Sequence, residues 1–241
     1  MGYLYILKVG NTFETTKEKY GDFEDWIGRF YKTSHIKIKT IDILKGERFP
    51  SFLSAKGFII TGSHSMVSDE EPWSVKLEKY IQKIAKTNIP LLGICYGHQL
   101  IAKALGGKSD FNLKGKEIGV VTISKTSKGY KDPLFKNFPK QFFAYETHYQ
   151  SVLKMPKGAM VLAKNGSDNH QAIRYNKNIW GVQFHPEFDK KIMKEYIINQ
   201  KVDLKKLNIP IDTLLNSLRD CDKSSQILTN FEKILRKKCC F

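Results

Sequence analysis

The chain has 241 residues, 41% of them apolar, which suits a folded domain with a sizeable core and excludes a disordered chain. Its longest apolar stretches, such as Ile89 to Cys95, are far too short to cross a bilayer. The start, MGYLYILKVGN, has no basic segment or small-residue cleavage site, so a cytoplasmic protein with no membrane contact is expected. The net charge of +16 comes mostly from Lys scattered along the chain, without a zinc-finger or RNP pattern, so it reads as a solvated surface and nucleic acid is not the expected partner.

Tyr3 to Val9 reads as a first strand. Phe13 to Tyr31 is polar and aromatic, with a helix around Phe23 to Phe30. Ile36 to Leu44 alternates apolar and polar residues as a strand does. Gly57 to Thr61 is a short buried strand running into the turn Gly62-Ser63. Glu71 to Lys86 carries Val75, Leu77, Ile81 and Ile84 near helical spacing. Ile89 to Ile94 is a buried strand that ends at Cys95, and Tyr96 to Leu105 is a helix closed by Gly106-Gly107. Short strands follow at Ile118 to Ser124, Phe142 to Glu146, Met160 to Lys164, Gln171 to Tyr175 and Ile179 to Phe184. A helix spans Asp189 to Asn199. From Val202 onward one or two further helices are expected, with Ile227, Phe231, Ile234 and Leu235 as one apolar stripe.

The alternation of apolar runs and amphipathic stretches predicts an α/β fold: an open, mostly parallel central sheet flanked by helices, with a smaller antiparallel or mixed portion downstream. The expected division is a main domain over 1–200 and a C-terminal helical extension over 201–241. The four cysteines, at 95, 221, 239 and 240, form no CxxC pair and no Cys/His metal spacing, so no metal site is expected. The neighbours Cys239 and Cys240 are unsuited to a structural disulfide, and a reduced setting fits.

Chemistry concentrates in Leu91 to Gln99, LLGICYGHQ. An apolar strand ends in Gly-x-Cys-x-Gly and a helix begins at once, which is the form of a nucleophile elbow. The sharp turn needs small neighbours two residues away, and Gly93 and Gly97 meet that need. Cys95 then sits at a helix N-terminus, where the dipole favours thiolate, the nucleophilic form. The backbone N–H of Tyr96 is one oxyanion donor, and Gly62 in the loop Thr61-Gly62-Ser63 can supply a second. In VQFHPEF, His185 is the candidate base. Glu187, two residues later along an extended segment, is placed to orient the imidazole.

These motifs resemble the class I, or triad, glutamine amidotransferase family over roughly Tyr3 to Asn199. GICYGHQ matches its nucleophile signature, GVQFHPE its signature for the catalytic His and Glu, and TGSHSMV its oxyanion loop. The resemblance implies a flavodoxin-like core and Cys95, His185 and Glu187 as catalytic residues. It further implies Gly62 and Tyr96 as the oxyanion hole, Gln99 as a substrate contact, and backbone groups at Tyr149 and Gln150 holding the amino-acid end of glutamine. By the same alignment His148 is a wall residue. No cofactor is implied. The substrate would be glutamine or another γ-glutamyl compound, attacked to give a γ-glutamyl thioester.

The synthetases of this family carry an ATP-dependent acceptor domain, and neither a P-loop nor an SGGxDS motif occurs here. The stretches TFETTKEKYGDFEDWIGRFY and TGSHSMVSDEEPW look more like stand-alone, GMP-synthase-like members, among them the plant γ-glutamyl peptidases. Three functions stay open: a glutaminase serving a separate ammonia-accepting synthetase, a self-sufficient γ-glutamyl hydrolase, and a non-catalytic binder using the basic surface.

Overall fold

In the computed structural model, residues 2–31 and 36–237 are described; Cys239 and Cys240 fall outside them. The first half runs β1 (Tyr3–Lys8), α1 (Glu14–Tyr20), α2 (Phe23–Gly28), β2 (Lys37–Asp42), β3 (Ala55–Ile60), α3 (Pro72–Ile84), β4 (Leu91–Ile94) and α4 (Tyr96–Ala104). Then come β5 (Lys108–Phe111), β6 (Glu117–Lys125), β7 (Gln141–His148), β8 (Gln150–Lys154), β9 (Met160–Lys164), β10 (Ala172–Asn176) and β11 (Ile179–Val182). Helices α5 (Lys190–Asn199), α6 (Lys201–Lys206), α7 (Ile211–Ser217) and α8 (Asp222–Lys237) follow.

One sheet of nine strands runs in the order β2-β1-β3-β4-β11-β10-β9-β6-β7. The pairs from β2 through β11 are parallel. Those from β11 through β7 are antiparallel, so the mixed portion expected downstream continues the same sheet. The parallel strands are buried on both faces, which is why YLYILK and LLGI read as unbroken apolar runs. β7 instead alternates over its first half, with Phe142 and Ala144 buried and Gln141 and Phe143 exposed.

Helices cover both faces. Leu4 and Ile6 of β1 point to one side, into a cluster with Trp180 and with Ile227, Phe231, Ile234 and Leu235 of α8. The alternate residues Tyr5 and Leu7 point to the other, against Leu77 and Ile81 of α3 and Ile101 of α4. The apolar stripe of α8 therefore lies in the main core. A third cluster gathers Ile192 and Tyr196 of α5, Leu204 of α6 and Leu218 around Phe23, Trp26 and Phe188.

Several elements are not written in hydrophobic periodicity. Helix α1 buries only Thr16, and its sequence ETTKEKY has no apolar stripe. It docks through polar contacts: the Thr15 hydroxyl donates to Asn199 Oδ1 at 2.9 Å and Lys19 pairs with Glu195 at 3.0 Å. Strands β5 and β8 pair as a separate two-stranded sheet beside α4. The described part of the tail makes three helices rather than one or two, because the chain turns at Asn208, with φ 54°, and breaks again between Ser217 and Asp222.

Candidate active site

Cys95 lies between the end of β4 and the start of α4 with φ 48° and ψ −103°, in a region a side chain rarely occupies. The flanking glycines make this turn possible. A Cβ at Gly93 would stand 2.5 Å from the Gly97 backbone, and one at Gly97 would stand 2.6 Å from the Ile60 carbonyl oxygen. Both obstacles are backbone and cannot swing aside. Gly93→Ala is accordingly expected to cost about 1–3 kcal/mol of stability, as overpacked cores do. Chemical denaturation checks this, and an unchanged unfolding midpoint would contradict it.

His185 arrives from the chain just beyond β11, whose parallel pairing with β4 brings Val182 opposite Ile94. The imidazole is buried, and the Cys95 sulfur is near enough to act on its charge. Its Nδ1 lies 2.8 Å from Glu187 Oε1, so Nε2 is the nitrogen left for the sulfur. The His–Glu link is made by a turn, closed by the Phe188 N–H to the His185 carbonyl at 3.4 Å, and not by the extended segment the sequence suggested. The ring stacks on Phe188, at 4.2 Å between centroids, and Phe23 lies 6.3 Å from it and 6.4 Å from Phe188, so the three rings form one cluster.

Burial by itself pushes the His185 imidazole down. The charges of Glu187 and Cys95, and hydrogen bonds to both, outweigh it and hold the group up at about 10. The electrostatics therefore favour an imidazolium at His185.

Gly62 follows β3 and faces the imidazole closely enough that a Cβ there would be 3.0 Å from His185 Cε1. Tyr96 is the first residue of α4, and its ring hydroxyl is bonded to Ser74 Oγ at 2.7 Å. A cavity of about 240 Å³ opens beside the sulfur, and Cys95, Tyr96, Gln99, His148, Tyr149 and Gln150 all line it. Gln99 uses its amide nitrogen inside the protein, donating to the Gln150 carbonyl at 2.6 Å and to Gln183 Oε1 at 2.9 Å. That carbonyl also lies 2.9 Å from His148 Nδ1, while the Tyr149 carbonyl accepts from the Asn112 N–H at 2.8 Å. The carbonyls at the end of β7 and start of β8 are thus committed to the fold.

Behind the cavity stands a buried polar group that sequence reading missed. Glu117 of β6 pairs directly opposite His148 of β7. His148 Nε2 is 3.2 Å from Glu117 and 3.3 Å from Glu146. Burial, then the charges of Glu117 and Cys95, push the Glu146 carboxyl well above the usual carboxylate range. These three residues offer ligand atoms within 4.8 Å of one another. Glu117 is already engaged by Asn165 at 2.6 Å and Gln171 at 3.2 Å as well as by His148, which suits an internal network. A signal was present: Glu146 and His148 lie on the buried phase of an alternating strand. His98, on the inner face of α4, was also passed over. Burial and the neighbouring His170 push it down to about 3, and Gly181 leaves the space it occupies.

A doubly covered α/β sheet thus presents a strained cysteine at its strand-to-helix bend, facing a buried His–Glu pair. The chain belongs to the glutamine amidotransferase class-I family, whose sequence model matches residues 29–204. It is 32% identical to gamma-glutamyl peptidase 5 of Arabidopsis thaliana over 151 residues, 62% of this chain and 60% of that one. It is 38% identical to a glutamine-hydrolyzing GMP synthase of Staphylococcus epidermidis over 136 residues, 56% of this chain and 25% of the synthase. The chain thus spans under two thirds of the length of each. A glutamine amidotransferase structure from Thermotoga maritima superposes with a TM-score of 0.79 at 23% identity, covering 98% of this chain and 99% of that one, and shares the fold. Among the described residues no helix is long and apolar enough to cross a membrane.

Proposed function

We propose that the protein hydrolyses the γ-amide of glutamine through a γ-glutamyl thioester on Cys95, releasing ammonia and glutamate. The observation that carries this is the meeting of the strained Cys95 sulfur with an imidazole whose far nitrogen is 2.8 Å from Glu187. The thiolate attacks the γ-carbonyl carbon, and the carbonyl π pair moves onto oxygen. The N–H groups of Gly62 and Tyr96 receive that oxyanion. As the intermediate collapses, the C–N bond breaks and His185 Nε2 gives its proton to the departing nitrogen. Water then adds to the thioester with His185 as base, and glutamate leaves as the thiolate returns. Glu187 orients the ring and supports its positive charge. Gln99, Tyr149 and Gln150 shape the wall that holds the glutamyl group.

A second reading is supported by the γ-glutamyl peptidase likeness and by a cavity whose lining includes Asn199 and Asp203 as well as Cys95. In it the same thioester forms from a γ-glutamyl peptide, and an amine leaves in place of ammonia. The GMP synthase likeness supports the first reading, in which a separate synthetase consumes the ammonia. Glutamate release from glutamine and from a panel of γ-glutamyl dipeptides separates them. Faster turnover of glutamine favours the amidotransferase reading, preference for dipeptides favours the peptidase, and turnover of neither overturns both.

A further inference from the structure

The cavity that Cys95 lines is also lined by Lys116, just before β6, by Asn199 and Gln200 at the end of α5, and by Asp203 in α6. Lys116 is an unusual resident of such a place. Its Nζ donates to Gln200 Oε1 at 2.5 Å and stands 3.8 Å from the centre of the Tyr149 ring. Gln200 cannot turn to present its amide nitrogen instead. That nitrogen is held by the Thr147 hydroxyl oxygen and the Tyr196 carbonyl, both at 3.1 Å. The ring beneath favours a cation but does not neutralise it.

Among the described residues no carboxylate oxygen comes within ion-pair distance of Lys116. Asp203 is near enough to be felt, yet its own ion pair is with Lys206 at 3.9 Å, out towards solvent. Burial outweighs the Asp203 charge and pushes the Lys116 ammonium down to about 8. The protein therefore holds a partly desolvated cation, oriented by an amide and an aromatic face, with donor hydrogens to spare and no anion of its own. A cation in that condition gains most from an anion that enters with the ligand.

We propose that Lys116 is a carboxylate-binding subsite that receives a carboxylate of the γ-glutamyl substrate, with Gln200 and Tyr149 as its positioning residues. This rests on the γ-glutamyl reading above. Two sources share the chemistry: the α-carboxylate of the glutamyl half, and a carboxylate on the amine that leaves.

Binding to the full chain carrying Cys95→Ala, measured by titration calorimetry, keeps the test separate from turnover. The ligands are γ-glutamylglycine, γ-glutamylglycinamide and 4-aminobutanamide, which has no carboxylate. Each is compared with the same chain carrying Lys116→Met in addition. A tenfold or greater loss for both γ-glutamyl compounds, with 4-aminobutanamide unchanged, assigns the subsite to the α-carboxylate. The same loss for γ-glutamylglycine alone assigns it to the leaving half. Lys116→Arg is expected to restore most of the affinity. Changes below twofold for all ligands, equal losses for all three, or no binding of any γ-glutamyl compound would overturn the subsite. Retained turnover by the Cys95→Ala chain would instead sink the catalytic reading, leaving the Lys116 comparison intact.

Discussion

Replacing Cys95 with alanine is expected to lower glutamate release by at least about 10,000-fold, a barrier increase of about 5 kcal/mol. The size follows from what is lost. Without sulfur no thioester forms, and water must attack a stable amide directly in one difficult step. His185 and Glu187 remain, but the base has no nucleophile beside it. The fold should survive, because the substitution removes one atom from a buried residue and leaves Gly93 and Gly97 to accommodate the turn. Circular dichroism and the unfolding midpoint would report that survival. Thiol labelling of wild-type protein should be faster at Cys95 than at Cys221, whose thiol is pushed up to about 11, chiefly by burial. Residual activity above one per cent of wild type in well-folded Cys95→Ala protein would remove Cys95 from the mechanism.

Exchanging Glu187 for glutamine is expected to reduce kcat/KM by about 100- to 10,000-fold while changing the shape of the site little. Glutamine keeps an acceptor near His185 Nδ1 but carries no charge. In the wild type that charge is one of the causes holding the imidazole up at about 10 against burial, which pulls it down. Without it burial gains, the imidazolium is lost at lower pH, and the alkaline limb of the rate profile moves towards neutrality. The stability consequence has a definite sign. A group whose folded pKa lies above its ordinary 6.5 stabilises the fold fully below 6.5 and loses that contribution as pH rises to about 10. The wild-type advantage over Glu187→Gln should therefore shrink between neutral pH and pH 10, as followed by urea midpoints. An alkaline limb that stays in place would show that Glu187 does not set the charge on His185.

The Glu187 variant also separates orientation from charge. Glu187→Asp keeps the charge but shortens the arm, so the imidazole must tilt to meet it. If orientation dominates, the aspartate variant loses rate without moving its pH profile. If charge dominates, it retains more rate than the glutamine variant and the wild-type limb.

Much of the architecture was legible because parallel strands buried on both faces must be apolar throughout and their covering helices must be amphipathic. Those are local demands, and YLYILK, LLGI and the α8 stripe display them. The elbow was legible for a related reason: a side chain at φ 48° needs glycines packed against backbone on either side, and the spacing of Gly93 and Gly97 records that need. Helix α1 and strands β5 and β8 were not legible, because side-chain hydrogen bonds and edge pairing hold them and neither leaves a period in the chain. Only the tertiary structure set His148 against Glu117 across a strand pair, ran the turn through Pro186 that joins His185 to Glu187, and carried α5 and α6 round to face Lys116. Burial and long-range Coulomb interactions belong to positions in space, and residues far apart in the chain meet there only after the sheet has formed.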